Sequence, residues 1–431
     1  MAIFQKKKKN RACVIGLDGV PYSLVLELTE RGVMPSLAGL LKSGHLHKMK
    51  ASLPEISAVS WTDFMTGTDS GRHGIFGFTD LKPGSYALRF PNFNDVRSET
   101  LWDVLGKRGK KSIIINQPST YPAKPLNGIL VSGFVALDLA KAVYPPAQKA
   151  ALERMRYQVD IDTMKSREDH EFFWADLGRT MDGLEKALDH YWQEEWDYFE
   201  FVVTGTDRLH HFLWNAYGDA KHRYGDRFLD YYRRVDAIIG RLSASYLSLT
   251  GGAGGLFLLS DHGFCQIEQE VYLNAWLQAE GYLRFEEEAA KGLESIAAGS
   301  LAFALDPNRI YLNLEGRFPK GAVESGRRET LKAEIAQKLA SLQYQGRPVI
   351  RQVFEASSVY SGPHVSAGPD LLVLSEPGFD LKGSVKKKNV FGRTDLEGMH
   401  TWDDAFFWAE RDHGQDLAIR DVARFILGNF E

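Results

Sequence analysis

Cysteine is nearly absent from this chain of 431 residues, which has only Cys13 and Cys265. Two thiols cannot build the disulfide framework of a small secreted protein, so we expect a reducing compartment, the cytoplasm. Long apolar runs are missing too. No uninterrupted apolar segment approaches the roughly 20 residues that span a bilayer. The sequence therefore predicts no transmembrane segment.

A strong charge of either sign is also lacking. The 52 basic and 56 acidic residues leave a net charge of −4, so no overall field favours a nucleic acid polymer or an anionic membrane as a partner. The N-terminal MAIFQKKKKN has four lysines, but the apolar run behind it is only about five residues long, whereas a secretory signal needs ~7–15. We interpret residues 1–10 as a solvated basic tail. Nothing in the sequence indicates an oligomeric state.

Short apolar or β-branched runs alternate with helical patterns through most of the chain. Strands are predicted at residues 11–17, 111–116, 128–132, 198–203, 255–260, 309–314 and 370–374. Helices are predicted at residues 34–43, 99–108, 226–246 and 329–342. The alternation predicts an α/β fold, a three-layer α/β/α sandwich around a mostly parallel sheet. We expect residues 11–264 and 396–431 to form the core and 265–395 to form an inserted cap with some core strands.

The stretch LLSDHGF, residues 258–264, ends an apolar run in a carboxylate and an imidazole, Asp261 and His262. Each of these side chains is costly to bury without a partner. Both are good ligands for a divalent metal. Open α/β sheets place their sites at the carboxyl ends of strands, so the remaining ligands are expected where other strands end.

Three other segments offer such ligands. VIGLDGV places Asp18 at the end of the first strand, and EFVVTGTDRLHHFLW places Asp207 after another strand, with His211 four residues later. The i, i+4 spacing aims these two side chains at one point if a helix begins there. EGMHTWDDAFFWA adds His400. Taken singly, Asp18 also fits a turn or helix cap, the pair also fits a surface helix, and His400 also fits a structural histidine.

A nucleophile is available in LPEISAVSWTDFMTG, where Ser57 precedes a helix-like stretch. A hydroxyl at a helix N-terminus lies beside unpaired backbone N–H groups and the positive end of the helix dipole, a setting that suits a phosphate. A capping serine would have the same sequence pattern. Both interpretations of Ser57 therefore stay open at this point.

Together these segments resemble the alkaline phosphatase superfamily, and within it the branch of type I phosphodiesterases and nucleotide pyrophosphatases. The resemblance rests on six segments in family order that span nearly the whole chain: IGLDGV, PEISAVSWTDFMTG, RHGIFGF, TDRLHH, LLSDHGF and GMHTWDD. It implies an alkaline phosphatase-like fold with an inserted smaller subdomain.

The resemblance also implies two divalent metal ions, zinc in most members and manganese in some. One ion is expected on Asp207, His211 and His400, and the other on Asp18, Asp261 and His262. Ser57 matches the family's nucleophile, which also contacts the second ion. Three carboxylates and three imidazoles suit zinc or manganese better than magnesium.

The implied function is that of a metal-dependent hydrolase that cleaves phosphodiester or pyrophosphate bonds of a small phosphate ester through a phosphoseryl intermediate. A phosphomonoesterase or phosphomutase on the same metal frame is the alternative, and an inactive binding protein of the same fold is a further one. The residues after Ser57 are Ala58-Val59-Ser60-Trp61. They lack the x-Pro-x-Arg that follows the sulfatase nucleophile, which argues against a sulfatase.

Three residues are expected to contact the substrate. Ser60 departs from the family pattern but offers one hydroxyl hydrogen bond to a phosphate. Arg208 either reaches a phosphate oxygen or forms a surface salt bridge. Asn274, in the segment VYLNAWL that closely follows the site, is expected to border the substrate together with Tyr272, for which core packing is the alternative.

Overall fold

The computed structural model describes residues 10–219, 221–252, 254–286 and 291–431. The basic tail predicted for residues 1–10 therefore lies, apart from Asn10, outside the described residues. The strands in chain order are β1 Ala12–Leu17, β2 His45–Lys50, β3 Asp80–Leu81, β4 Leu88–Arg89, β5 Ser112–Gln117, β6 Gly128–Ser132, β7 Val143–Tyr144, β8 Tyr198–Val203, β9 Leu256–Leu259, β10 Gly263–Gln266, β11 Gln269–Tyr272, β12 Ala302–Leu305, β13 Arg309–Leu312, β14 Gln343–Tyr344, β15 Arg347–Pro348, β16 Ile350–Glu355, β17 Leu371–Ser375, β18 Phe379–Lys382, β19 Phe391–Gly392, β20 Gly398–Thr401, β21 Ala405–Ala409 and β22 Leu417–Ala418.

The α-helices are α1 Tyr22–Glu30, α2 Pro35–Leu41, α3 Ser57–Thr66, α4 Ser70–His73, α5 Leu101–Lys107, α6 Lys149–Met155, α7 Thr163–Glu168, α8 His170–Tyr191, α9 Gly205–Gly218, α10 Gly225–Thr250, α11 Leu273–Ala279, α12 Arg328–Ala340, α13 Ala356–Val359 and α14 Val422–Gly428. Every strand and helix predicted from the sequence is present. The bounds agree to within two residues, except that α10 continues to Thr250.

The central sheet has the strand order β22-β2-β21-β9-β1-β8-β5-β6-β7 over the described residues. β1 lies between β8 and β9 and runs parallel to both, with Leu17 opposite Val203 and Gly16 opposite Leu259. The carboxyl ends of these three strands therefore meet at one edge. This register brings the segments that follow them, which carry the predicted ligands, to the same place.

Helices cover both faces of this sheet because successive side chains of a strand point to opposite sides. In β1, Cys13 and Ile15 join an apolar cluster that includes side chains of α1, α2, α8, α9 and α10. Ala12 and Val14 join a second cluster with side chains of α3, α5 and α14. These two cores confirm the predicted α/β/α sandwich around a mostly parallel sheet.

The segment between β10 and β20 contains a further sheet of order β12-β13-β17-β16. α11 and α12 pack on it around a third apolar cluster that includes Phe303 and Leu331. β10 and β20 pair antiparallel, with Phe264 opposite His400, and so bring the chain back to the central sheet. The division into a core and an inserted cap at residues 265–395 stays a prediction.

Candidate metal centre

Asp18 and the Asp261–His262 pair can approach each other because the residue after Asp18 is a glycine. Gly19 follows β1 with φ +66°, and its N–H donates to Asp261 Oδ1 at 3.0 Å. A Cβ at this position would lie 3.1 Å from His262 Cε1 and 3.0 Å from the Phe264 ring. Only glycine combines this backbone conformation with so close an approach.

Asp207 and His211 lie one turn apart in α9, and His400 comes from β20. Asp207 Oδ1 is 3.5 Å from His211 Nε2 and 3.3 Å from His400 Nε2. The two imidazole nitrogens are 3.0 Å apart. The structure thus brings these three side chains together, although His400 follows His211 by 189 residues in the sequence.

The second predicted trio lies against the first. His262 Nε2 is 3.3 Å from Asp261 Oδ2 and 3.7 Å from Asp18 Oδ1, and it is also 3.9 Å from Asp207 Oδ1. The donor atoms of Asp207, His262 and His400, and likewise those of Asp18, Asp261 and His262, lie within 4.8 Å of one another. His262 therefore belongs to both groups of donors, which the sequence did not indicate.

The orientation of the imidazoles is set by backbone carbonyls. Nδ1 of His211 contacts the Gly398 carbonyl at 2.9 Å, that of His400 the Glu55 carbonyl at 2.8 Å, and that of His262 the Gly263 carbonyl at 3.0 Å. A carbonyl only accepts, so Nδ1 carries the proton and Nε2 presents its lone pair to the cluster. Partners of this kind typically orient metal ligands. Sequence reasoning missed them because a backbone carbonyl leaves no mark on residue type.

The carboxylates are crowded in a buried place. Burial, with the neighbouring Asp261 and Asp207, raises the pKa of Asp18 well above its usual range. Burial also raises the pKa of Asp261 to about 7 and lowers that of His211 to about 3. Like charges in a low-dielectric site repel one another, and a cation removes that cost.

Two carboxylate oxygens in the cluster lack any hydrogen-bond partner among the described residues. These are Asp207 Oδ1 and Asp261 Oδ2, and both are buried. A buried acceptor without a donor is costly, and each of these atoms lies 3.3 Å from an imidazole Nε2, that of His400 for Asp207 and that of His262 for Asp261. Carboxylate oxygens and unprotonated Nε2 atoms form a donor set that fits divalent metal ions.

Ser57 is the first residue of α3, and its hydroxyl points into the cluster. Its Oγ lies 3.2 Å from Asp18 Oδ1 and 3.2 Å from His262 Nε2. The residue at the helix cap is Ile56, which has no side-chain acceptor. The capping interpretation of Ser57 is therefore wrong, and the first-turn N–H groups of α3 have no side-chain partner from the cap.

The sequence profile described as type I phosphodiesterase / nucleotide pyrophosphatase matches residues 12–403. The chain belongs to this family. Its members are phosphoric ester hydrolases that depend on divalent metals. No curated protein matches the sequence.

Solved structures share the fold of this phosphodiesterase-family chain. Phosphonoacetate hydrolase from Sinorhizobium meliloti 1021, in complex with phosphonoformate, superposes with a TM-score of 0.65 at 16% identity, over 98% of this chain and 96% of that chain. Murine ectonucleotide pyrophosphatase / phosphodiesterase 5, in an inactive form with AMP, gives a TM-score of 0.58 at 12% identity, over 98% and 95%. The human protein of that name gives 0.55 at 13% identity, over 97% and 94%.

Arg208 lies at the edge of the metal cluster and is already engaged. Its Nε and Nη2 donate to Asp160, the latter at 2.6 Å, and Nη1 donates to Asp207 Oδ2 at 3.1 Å. Its guanidinium also lies 4.3 Å from the centroid of the Phe134 ring. The surface salt bridge considered from the sequence is thus a largely buried ion pair. No sequence signal connects Asp160 with Arg208.

Ser60 and Asn274 do not face the cluster. Ser60 is fully buried and its Oγ accepts from the Ser52 N–H at 3.3 Å. Asn274 is also fully buried. Its amide donates to the carbonyls of Ala304 and Gly383 and accepts from the Ala304 N–H. The amide of Asn274 is thus used by the backbone, and the predicted substrate contact of Asn274 stays a prediction.

Tyr272 is buried and its hydroxyl donates to Glu270. This contact corresponds to the packing alternative considered for Tyr272. Among the described residues, no helix has both the length and the apolar character needed to cross a bilayer.

Proposed function

We propose that this chain is a two-metal phosphohydrolase that cleaves phosphodiester or pyrophosphate bonds with Ser57 as nucleophile. The observation that carries the proposal is the position of Ser57 Oγ, 3.2 Å from both Asp18 Oδ1 and His262 Nε2, at the start of a helix. Membership of the type I phosphodiesterase / nucleotide pyrophosphatase family supports the reaction class.

The predicted donors form two groups of three for two divalent ions. Asp207, His211 and His400 would hold one ion, and Asp18, Asp261 and His262 the other, with zinc favoured and manganese as the alternative because of the mixed oxygen and nitrogen donors. Bound there, the ions would lower the pKa of the Ser57 hydroxyl and neutralise charge on the attacking and leaving oxygens.

The residues of the chain orient the substrate and the nucleophile. The hydrogen bond from the Ser57 hydroxyl to Asp18 Oδ1 fixes the direction of Oγ, and Trp61 Nε1 holds the other oxygen of Asp18 at 3.3 Å. The N–H groups of Ser57 and Ala58, at the start of α3, offer donors to the phosphoryl oxygens, whereas those of Val59 and Ser60 already donate to the Ile56 carbonyl. The Ser57 hydroxyl gives up its proton to solvent and Oγ forms a bond to phosphorus. The bond to the leaving oxygen breaks, and that oxygen departs with the bonding electrons and takes a proton from solvent.

The resulting phosphoserine is then hydrolysed. A water molecule attacks phosphorus from the side that the leaving group has vacated, the bond between phosphorus and Ser57 Oγ breaks, and the hydroxyl of Ser57 is restored with a proton from the water. Ser57 Oγ is thus the nucleophile of the first half-reaction and the leaving group of the second.

The test measures bound metal and the turnover of two chromogenic esters by wild type, Ser57→Ala and Ser60→Ala. We expect bound metal, turnover of bis-p-nitrophenyl phosphate, loss of turnover in Ser57→Ala, and a phosphorylated Ser57 peptide in quenched wild-type samples. Ser60→Ala is the matched control, since its hydroxyl lies one turn away and outside the cluster.

Other outcomes of this test would identify one of the alternative functions. Turnover of p-nitrophenyl phosphate without turnover of the diester would identify a phosphomonoesterase or a mutase. A chain without bound metal and without turnover, in which Ser57→Ala behaves like wild type, would be an inactive binding protein and would overturn the proposal.

A further inference from the structure

An apolar cavity of about 510 Å³ opens beside the N-terminal turn of α3. Its wall includes Ile75, Phe78, Phe134, Val135 and Leu137, and none of its lining residues carries a charge. All of these lining residues lie between positions 58 and 137, so the sandwich forms this cavity without the insert. Cavities of this size and composition are typical of small-molecule sites.

The rim of the cavity exposes large apolar side chains to water. Leu137 is 87% exposed, Phe90 73% and Val135 41%. Exposed apolar side chains are ordinary when scattered, but a group of them around one concave apolar surface marks a site that binds an apolar partner. The interior and the rim of this cavity thus have the same chemical character.

The cavity adjoins the metal centre at two points. Ala58, which follows Ser57, lines the cavity, and Phe78 packs against Ala58 and its neighbours Ile56 and Val59. Phe134 forms another part of the wall and carries the Arg208 guanidinium on its ring. A substrate whose phosphorus lies at Ser57 would therefore have this cavity beside it.

Two hydroxyl protons and one amide oxygen in the wall are already used by the backbone. Thr62 Oγ1 donates to the Ala58 carbonyl at 2.6 Å and Ser119 Oγ to the same carbonyl at 3.4 Å. The Asn92 carbonyl oxygen accepts from the Asn94 N–H at 2.9 Å. A nucleobase buried here would leave polar edge atoms without these partners, which is costly.

The aromatic rings in the wall also disfavour a flat base. Phe78 and Phe134 meet edge to face, with centroids 5.5 Å apart and an interplanar angle of 74°. They form no parallel slot, and one side of Phe134 is occupied by Arg208. A flexible alkyl chain needs neither hydrogen bonds nor a parallel slot, and gains from burial alone.

We propose that this cavity takes an unbranched alkyl chain of the substrate, so that the enzyme hydrolyses phosphate esters of amphiphilic alcohols. The assignment rests on the proposed function of the metal centre. The phosphoryl group would lie at Ser57, and the retained alkyl group would extend past Ala58 towards Leu137.

The first experiment compares p-nitrophenyl phosphodiesters whose second group is methyl, butyl, octyl or thymidine 5′-yl, each below its critical micelle concentration. Every methylene buried should raise kcat/KM by about twofold to fourfold, so the octyl ester should exceed the methyl ester by at least about 100-fold. The thymidine ester should be a poorer substrate than the octyl ester.

Variants at the rim test whether the chain occupies this cavity. Leu137→Ser and Phe90→Ser change exposed side chains, and each should lower the ratio of octyl to methyl kcat/KM by at least about threefold. The matched control is Met164→Ser in α7, because Met164 is 79% exposed and does not line the cavity. This control should leave the ratio unchanged.

Binding of octyl phosphate and methyl phosphate to the Ser57→Ala variant, measured by calorimetry, separates the two proposals. Tighter binding of octyl phosphate that Leu137→Ser weakens, together with a wild-type protein that hydrolyses none of the esters, would keep the cavity assignment and overturn the proposed function. Hydrolysis without dependence on chain length, or preference for the thymidine ester, would overturn the cavity assignment alone. Absence of both would overturn both.

Discussion

His262 and His400 lie face to face, with ring centroids 3.7 Å apart and an interplanar angle of 21°. Their Nε2 atoms are 3.9 and 3.3 Å from the same oxygen, Asp207 Oδ1. The stack joins the two groups of donors into one cluster. A change at His262 should therefore affect both groups, whereas a change at His211 should affect one.

We expect His262→Asn to lower the metal content at both positions and to lower kcat/KM by more than about 100-fold. The loss should exceed about 100-fold because that is the largest effect typical of a residue that only hydrogen-bonds to a metal ligand. His211→Asn should leave the Asp18 and Asp261 group with its ion. Elemental analysis of the purified variants gives the metal content per chain. Equal losses in the two variants would contradict the shared position of His262.

Removal of metal should destabilise the protein. Burial and the neighbouring carboxylates of Asp261 and Asp207 raise the pKa of Asp18, so its ionised form is costly without a cation. Ions at 100 times their Kd should stabilise the fold by about 2.7 kcal/mol. Thermal unfolding in a chelator and in added zinc or manganese measures the shift.

The control for this shift is a double variant, Asp18→Asn with Asp261→Asn. This variant has two fewer charges in the crowded site, so without metal it should unfold at a temperature no lower than that of metal-free wild type. Added metal should change the unfolding temperature of the variant little. A full metal-dependent shift in the double variant would show that the ions bind elsewhere.

Glu200 gives the protein a pH dependence that is independent of the metal centre. It lies fully buried in β8, and burial raises its pKa from 4.5 to about 8 although the Tyr198 hydroxyl donates to it. Because the pKa is raised in the folded state, the stabilisation is complete below pH 4.5 and is lost as the pH rises through about 8. The loss is roughly 5 kcal/mol at most.

Urea unfolding of wild type and Glu200→Gln at pH 5 and pH 9, in chelator, measures this effect. The glutamine accepts the same hydrogen bond but does not ionise, so its stability should fall less between the two pH values. Parallel changes in the two proteins would assign the pH dependence to other groups.

Arg208 should act by positioning Asp207. The guanidinium joins Asp160 to Asp207, and its removal leaves two buried carboxylates without their partner, at a cost of about 3–5 kcal/mol. We expect Arg208→Ala and Asp160→Asn to lower metal affinity in the same direction. Their double variant should show a coupling of at least ~0.5 kcal/mol in unfolding free energy. Additive effects, with a KM change confined to Arg208→Ala, would indicate a direct substrate contact.

Asn274→Ala should lower stability without lowering kcat/KM. The amide makes three hydrogen bonds to the backbone at Ala304 and Gly383, and leaving such buried groups unpaired costs about 1–3 kcal/mol each. Urea unfolding and the chromogenic diester assay on the same preparations check the two effects. A loss of activity in a stable variant would restore Asn274 as a substrate contact.

Much of the candidate site could be predicted because its residues follow local patterns. The ends of β1 and β9 are marked by Asp18 and Asp261, where an apolar run stops. The spacing of Asp207 and His211 is a property of one helix. Periodicity and strand ends are readable from neighbouring residues alone.

Substrate contacts could not be predicted in the same way. The roles of Ser60, Arg208 and Asn274 depend on partners 8, 48 and 109 residues away along the chain. Whether a polar side chain is free for a ligand is decided by which distant backbone or carboxylate group it meets on folding. The residue type tells which hydrogen bonds a side chain can form, but it does not tell which group will be its partner.

The sequence by itself determined the fold class, the strands that carry the site and six candidate donors, because alternating apolar patterns and strand-end carboxylates are local. Only the tertiary structure decided that His262 lies between the two donor groups and that an apolar cavity adjoins Ser57. Both depend on the register of parallel strands and on loops that meet across the sheet. The physical reason is that contacts between distant segments arise only when the chain has packed.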